Sequence, residues 1–376
     1  MTVNLLTDYE KLHIEERQSL PDSYLGLPDD EMRSRIAEAR KVLGQRLLIL
    51  GHHYQRDEVI EFADHTGDSF KLSRQAAAQR DAEYIVFCGV HFMAESADVL
   101  SGQDQQVILP DLAAGCSMAD MAASDQLEVC WSELETMGAH RVIPVTYINS
   151  AASIKAFCGE RDGVVCTSSN ADATLQWAWE RGDQILFLPD QHLGRNTAYA
   201  MGVPLDQMVV WDPDIPFGGV DPEALRRARM ILWKGHCSVH TKFNVQQVNS
   251  VRQRHPNVRV IVHPECTWDV VQAADDSGST EYIIRQIHDS PEGSVWAVGT
   301  EVHLVSRLAE TLAPDRTVLT LDPIGCLCST MFRVSPNHLL WVLEGLLEGE
   351  VRNQITVSDR EKRWTRVALD RMLSIH

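Results

Sequence analysis

RLLILGHHYQ (residues 46–55), RVIPVTYINS (141–150) and VRVIVHPECT (258–267) share one pattern. Each is a short run of leucine and β-branched residues that stops abruptly at His, Tyr, Asn or Glu. Apolar runs of this length, without alternation, read as strands buried on both faces, as in a parallel sheet of an α/β protein. Ligands of such sheets lie beyond the carboxyl ends of the strands. His52 and Tyr54, Tyr147 and Asn149, and His263 and Glu265, which close the three runs, are therefore the first places to look for chemistry.

The likeness continues along the chain. After each tip a hydroxyl stands where a helix should begin: Ser69 in GDSFKLSRQAAA, Ser168 in CTSSNADATLQWA and Thr280 in GSTEYIIRQI. The spacing is 17 residues from His52 to Ser69, 19 from Asn149 to Ser168 and 17 from His263 to Thr280. A second buried run follows each, YIVFCGVHF, QILFLPDQH and SVWAVGTEV. Each unit then closes on a strand and a cysteine: VILPDLAAGC (Cys116), MILWKGHC (Cys237) and TVLTLDPIGCLC (Cys326 and Cys328). Self-similarity on this scale marks equivalent structural units. The expected fold is α/β, with three homologous α/β/α sandwich domains on parallel sheets around a pseudo-threefold axis. The expected boundaries are 1–45 for an N-terminal helical extension, 46–116 for the first domain, 117–237 for the second and 238–328 for the third. An insertion near 198–223, rich in loop-forming Pro, Gly and Asp, falls in the second. Helices in 329–376 are expected to pack back on the first.

Composition agrees with a core-forming chain, at 44% hydrophobic and 23% charged over 376 residues. Against 34 basic residues stand 53 acidic ones, a net charge of −19. That opposes nucleic acid or an anionic membrane as partner, since either calls for a basic face. No apolar run approaches the roughly 20 residues of a transmembrane helix. The start, with Asp8 and Glu10, lacks the basic-then-apolar pattern of a secretory signal. A cytoplasmic protein is expected, and in that reducing compartment nine cysteines read better as metal ligands or reactive groups than as disulfides.

A threefold arrangement gathers equivalent positions at its centre, so Cys116, Cys237 and Cys328 should face one spot. Three thiolates without a fourth partner fit an iron–sulfur cluster with one iron open, or a zinc ion with one open position. Buried cysteines are ordinary core residues, and it is the matched place in the repeat that sets these three apart. Cys88, Cys130, Cys158 and Cys166 lie in apolar or helical stretches, and Cys266 follows Glu265. Cys326 competes with Cys328, because alternate positions on an extended chain share a face.

Hydroxyls before helices are common N-caps, but a helix N-terminus also attracts anions. Three such termini around one centre would suit a multiply anionic small molecule. The strand tips add proton chemistry, with His52, His263 and Glu265 foremost, Tyr54 beside them and His240 three residues past Cys237. Tyr147 and Asn149 offer hydrogen bonds. His65, His91, His192 and His303 read as cap or packing residues.

Taken in order, GHHYQ, GDS, GCSMADM, YINS, CTSSNA, GHCSVH, HPEC, GST and the C-x-x-M of CSTM resemble quinolinate synthase, the iron–sulfur enzyme that makes the pyridine ring in NAD biosynthesis. The resemblance runs from about residue 46 to 333, and the order of the motifs makes it specific. It implies a [4Fe-4S] cluster held by Cys116, Cys237 and Cys328, with the fourth iron open to substrate. Cys328 is preferred to Cys326 because the family's third ligand precedes x-x-Met, here Ser329-Thr330-Met331. The implied reaction condenses iminoaspartate with dihydroxyacetone phosphate to quinolinate, with loss of phosphate and two waters. Ser69, Ser168 and Thr280 would hold phosphate and carboxylates. His52, Tyr54, His240, His263 and Glu265 would handle protons, with His52, Tyr147, Asn149, His263 and Glu265 binding substrate. The implied partners are these small anions and, transiently, the enzyme that supplies iminoaspartate. The N-terminal extension and the second-unit insertion depart from shorter members, which bears on subunit contacts and lid behaviour more than on chemistry.

Two other functions compete. One is a lyase or hydrolase with a three-cysteine zinc, and the other a non-catalytic iron–sulfur sensor. A sensor that binds DNA would need a basic recognition face, which the charge opposes.

Overall fold

In the computed structural model, which describes residues 17–375, the three apolar runs become strands at the same place in three separate sheets. The first sheet contains β1 (Leu47–His52), β2 (His65–Gly67), β3 (Tyr84–Cys88) and β4 (Gln106–Ile108). The second contains β5 (Val142–Tyr147), β6 (Val164–Cys166), β7 (Gln184–Leu188), β8 (Met208–Trp211) and β9 (Met230–Trp233). The third contains β10 (Arg259–Val262), β11 (Asp276–Ser277), β12 (Val295–Gly299) and β13 (Thr317–Thr320). The orders β2-β1-β3-β4, β6-β5-β7-β9 and β11-β10-β12-β13 are one topology three times, all parallel. Registers match as well, with Leu47 opposite Tyr84, Val142 opposite Gln184 and Arg259 opposite Trp296.

Alternation along the strands makes each a filling between two layers. Ile185 and Phe187 of β7 belong to one core, and Leu186 and Leu188 to another. In the third sheet Val260 and Val262 face one way and Ile261 the other. β1, β3, β7 and β9 are buried at every residue, as strands covered on both faces must be. In this strand order the chain leaves the first strand to one side and returns to the other. The ends of the first and third strands in each unit are therefore the switch point where a crevice opens. Three switch points supply the walls of one cavity.

The stretch 198–223, expected as loops, contributes β8, which extends the second sheet at its edge beside β9 (Met208 opposite Met230). The N-terminal extension is described from residue 17. Its helix Asp29–Leu43 buries Met32, Ile36, Ala39 and Leu43 and packs against helix Pro336–Leu347, where Arg35 grips Glu344 at 2.9 and 2.7 Å. β14 (Gln354–Ile355) pairs antiparallel with β4.

Of the segment 329–376 expected on the first unit, β14 lies there, but the last helix departs from that expectation. Asp359–Ser374 lies along helix Ala152–Glu160 of the second. That helix is buried almost all round and presents small residues to its cover. At Gly159 a Cβ would collide with the Trp364 carbonyl. Thr365 Oγ1 donates to the Ala152 carbonyl at 2.7 Å and Arg371 Nη1 to that of Gly163 at 2.6 Å. Lys362 reaches back to Asp98 of the first unit at 3.0 Å, so the helix straps the two together. Among the described residues no helix is long and apolar enough to cross a membrane.

Candidate active site

His52 ends β1 and Tyr147 ends β5, while His263 follows β10 directly. Their side chains, with Tyr54, Ser69, Asn149, Ser168, His240, Glu265 and Thr280, line one cavity, into which Cys116, Cys237 and Cys328 also open. The three cysteines are half-buried, whereas the other six, Cys326 included, are buried.

Local geometry singles out the same three. Each begins a single helical turn in which its carbonyl accepts the amide four residues on: Asp120 to Cys116 at 3.1 Å, Thr241 to Cys237 at 3.1 Å and Phe332 to Cys328 at 3.0 Å. The turn aims amides at the sulfur, those of Met118 and Ala119 at Cys116, His240 at Cys237, and Thr330 and Met331 at Cys328. Two residues earlier, the carbonyls of Ala114, Gly235 and Cys326 accept from the first amides of three equivalent helices, His91 at 2.9 Å, Gln191 at 3.0 Å and Val302 at 3.0 Å. Cys326 is thus the counterpart of Ala114 and Gly235, a backbone anchor, and Cys328 the counterpart of Cys116 and Cys237. Burial pushes Cys116 up to about 12 and raises Cys237 and Cys328, while the facing amides pull the other way. Thiols so desolvated need a cation to become thiolates.

The acid–base groups form a continuous web. The Nδ1 atoms of His52 and His263 accept backbone amides two residues on, from Tyr54 at 3.1 Å and Glu265 at 3.4 Å. A neutral ring held this way carries its proton on Nε2. Burial pushes both imidazoles down to about 3, so they are neutral at physiological pH. Glu265 is 3% exposed. Burial alone would raise its pKa, but facing His263 and His240 and hydrogen bonds from His240 and Tyr147 outweigh it and hold the carboxyl below its usual range. Its Oε1 accepts the Tyr147 hydroxyl at 2.7 Å, and Oε2 meets His240 Nδ1 at 2.8 Å. His240 stacks on His263 with centroids 4.5 Å apart. Burial and the Glu265 charge raise Tyr54 and Tyr147 well above 10, which keeps both as donors. The Asn149 Oδ1 is buried without a hydrogen-bond partner.

Ser69 and Thr280 are the first residues of helices Ser69–Ala78 and Thr280–His288, but the caps are the residues before them. Asp68 accepts the Lys71 amide at 2.9 Å and Ser279 that of Tyr282 at 3.3 Å. Both hydroxyls are therefore released from capping. The expectation for Ser168 is corrected, because Asn170 Oδ1 takes the Thr167 amide at 2.8 Å and delays the helix to Ala171–Trp179. Ser168 sits in the preceding turn, still on the cavity wall.

Thr300 was missed by the sequence reading. Its Oγ1 joins Tyr54 (2.8 Å) to His240 Nε2 (3.2 Å). It stands just past β12, where the strand-end rule applied to the third strand of the unit would have found it. Asp68 was missed too. It accepts the Ser169 hydroxyl at 2.9 Å across the mouth, where a wider groove adjoins the cavity.

Three like sheets whose switch points share a cavity of acid–base groups and thiols define an α/β enzyme working on a small molecule. The sequence profile of the family described as Quinolinate synthetase A protein matches residues 34–374. Quinolinate synthase of Acidobacterium capsulatum is 61% identical over 357 residues, covering 94% of this chain and 95% of that one. Those of Corynebacterium glutamicum (55%, covering 96% and 92%) and Anoxybacillus flavithermus (51%, covering 96% and 98%) are similar along nearly their whole length. The chain belongs to the quinolinate synthetase A family of enzymes.

Proposed function

We propose that the chain is a quinolinate synthase of NAD biosynthesis that condenses iminoaspartate with dihydroxyacetone phosphate, releasing phosphate and two waters. The sum balances without an oxidant or reductant. The observation that carries this reading is the single cavity at which three strand tips and three matched cysteines meet.

The residues suit a [4Fe-4S] cluster held by Cys116, Cys237 and Cys328. One zinc bound by all three would need sulfurs within about 4.6 Å, twice the Zn–S distance. Among the described residues the ligand atoms that lie within 4.8 Å of one another are those of Cys237, His240 and Glu265, not the three sulfurs. A cluster spaces its cysteine ligands more widely than one zinc ion does, and each sulfur already faces backbone amides. When bound, the cluster supplies an open, Lewis-acidic iron.

The chain's own groups bind and move protons. Ser69 and Thr280, at helix N-termini, and Ser168 hold phosphate and carboxylates. His52 and His263 present Nε2–H donors to substrate oxygens. Glu265, ionised and oriented by Tyr147 and His240, takes protons from carbon in the isomerisation and dehydration steps, and His240 and Tyr54 relay them. The unpartnered Asn149 Oδ1 accepts from a substrate N–H or O–H. The recess between the three units limits the access of water to reactive intermediates. Its substrates are cytoplasmic small anions, delivered in part by transient contact with the enzyme that makes iminoaspartate.

The test is an anaerobic condensation assay on protein isolated without oxygen. Quinolinate formed from the two substrates supports the reading. No product from a protein that retains iron and sulfide would favour a sensor.

A further inference from the structure

Cys237, His240 and Glu265 form a second, smaller constellation inside the cavity. Their ligand atoms lie within 4.8 Å of one another, and His240 and Glu265 are 1% and 3% exposed. The outer contacts of two of them are already made. Tyr147 donates to Glu265 Oε1 at 2.7 Å and leaves Oε2 toward the group. Thr300 Oγ1 stands 3.2 Å from His240 Nε2, ready to accept its proton and leave Nδ1 as the ligand nitrogen. Metal-binding histidines and carboxylates are oriented in just this way by outer partners.

We infer that the cluster-free chain binds one borderline-soft divalent cation, Zn²⁺ or Co²⁺, at Cys237, His240 and Glu265, and that this ion excludes the iron–sulfur cluster. The exclusion rests on Cys237 being a cluster ligand, as proposed above, whereas the binding does not. One sulfur, one nitrogen and one carboxylate oxygen suit these metals. On binding, the Cys237 thiol gives its proton to solvent, and the His240 proton that faces Glu265 moves from Nδ1 to Nε2, toward Thr300. A divalent ion with one thiolate, one carboxylate and a neutral imidazole carries no net charge, which a buried site favours over a metal with three thiolates. The fourth position opens on the cavity that all three residues line. Because Cys237 cannot serve both metals, the protein has two alternative metal states built on one sulfur.

The experiment titrates the full-length, chelator-treated chain with Co²⁺ without oxygen and follows the thiolate-to-cobalt absorption. One Co²⁺ should bind per chain, in the wild type and equally in C116A and C328A. C237A and H240A should lose it, and T300V should weaken it about 10–100-fold. Loss in C116A or C328A to the same degree as in C237A, or retention in H240A, overturns the site. In a second arm, Zn²⁺-loaded and metal-free protein receive ferrous iron and sulfide. Iron should enter only the metal-free sample, and equal uptake by both overturns the exclusion. A chain that binds Co²⁺ through the triad but assembles no cluster even when metal-free would refute the cofactor proposed above and leave the triad standing.

Discussion

The first and second units meet through carbon, whereas the third is attached mainly through polar side chains, with the edge-on pair of Tyr199 and Trp268 as an apolar exception. One apolar cluster runs from Ile49 and Phe87 of the first sheet through Val145 and Phe187 of the second to Leu369 and Met372 of the last helix. The third unit keeps cores of its own. Its polar ties to the others include Tyr147–Glu265 at 2.7 Å, Tyr54–Thr300 at 2.8 Å, His53–Glu281 at 2.9 Å, Arg307 Nη1 to the Gln55 carbonyl at 3.0 Å and Asn196 Nδ2 to the Pro264 carbonyl at 2.8 Å. Several of these belong to the proposed catalytic web. The strapped pair therefore gives the site a fixed frame, and the third unit brings in Glu265 and His240, to which the proposed proton transfers are assigned, and Thr300 between His240 and Tyr54. A mutation at the carbon junction should cost stability, and one at the polar junction should cost chemistry.

Glu265→Gln should show the largest effect. It keeps the shape but removes the charge, so kcat/KM should fall about 10²–10⁴-fold, a loss of chemistry that outweighs the accompanying fall in Tm, as read by quinolinate formation and melting. Gly159→Ala drives a methyl into the Trp364 carbonyl. It should lower stability by about 1–3 kcal/mol while the folded enzyme keeps its kcat. If the folded Gly159→Ala protein lost activity and Glu265→Gln kept it, the contrast between the junctions would be broken.

Acid sharpens the comparison. His52 and His263 stay neutral in the fold down to about 3 but titrate near their ordinary value once unfolded. The unfolded chain then binds more protons between about pH 6.5 and 3, so their contribution is whole above 6.5 and fades as pH falls toward 3. Glu265, held below its usual range, changes stability in the same direction. Tm of the cluster-free chain should fall steadily from pH 7 to pH 4, less steeply in H263Q, and a flat or rising profile would count against the buried web. The smallest effect belongs to Lys71→Ala. Its pair with Glu281 spans 3.3 Å with side chains 48% and 33% exposed, so no more than about 0.2–1 kcal/mol should be lost.

The strands, their threefold recurrence and the polar tips were legible in the sequence because burial on both faces leaves an unbroken apolar run. Cys326 and Cys328 were not separable by spacing. The helical turn after Cys328 and the carbonyl anchor at Cys326 distinguish them, and both are matters of backbone hydrogen bonding. Ser168 was misplaced because the Asn170 side chain closes a turn before the helix starts. The docking of the last helix was illegible for a different reason. An amphipathic pattern shows that a face is buried but not what buries it, and Gly159 reads as ordinary until the Trp364 carbonyl is seen against it.

The most direct test of the account is iron and sulfide per chain in anaerobically isolated Cys326→Ala and Cys328→Ala proteins, compared side by side. The account predicts about four irons in the first, as in the wild type, and almost none in the second. Iron retained by Cys328→Ala, or lost from Cys326→Ala alone, would contradict it.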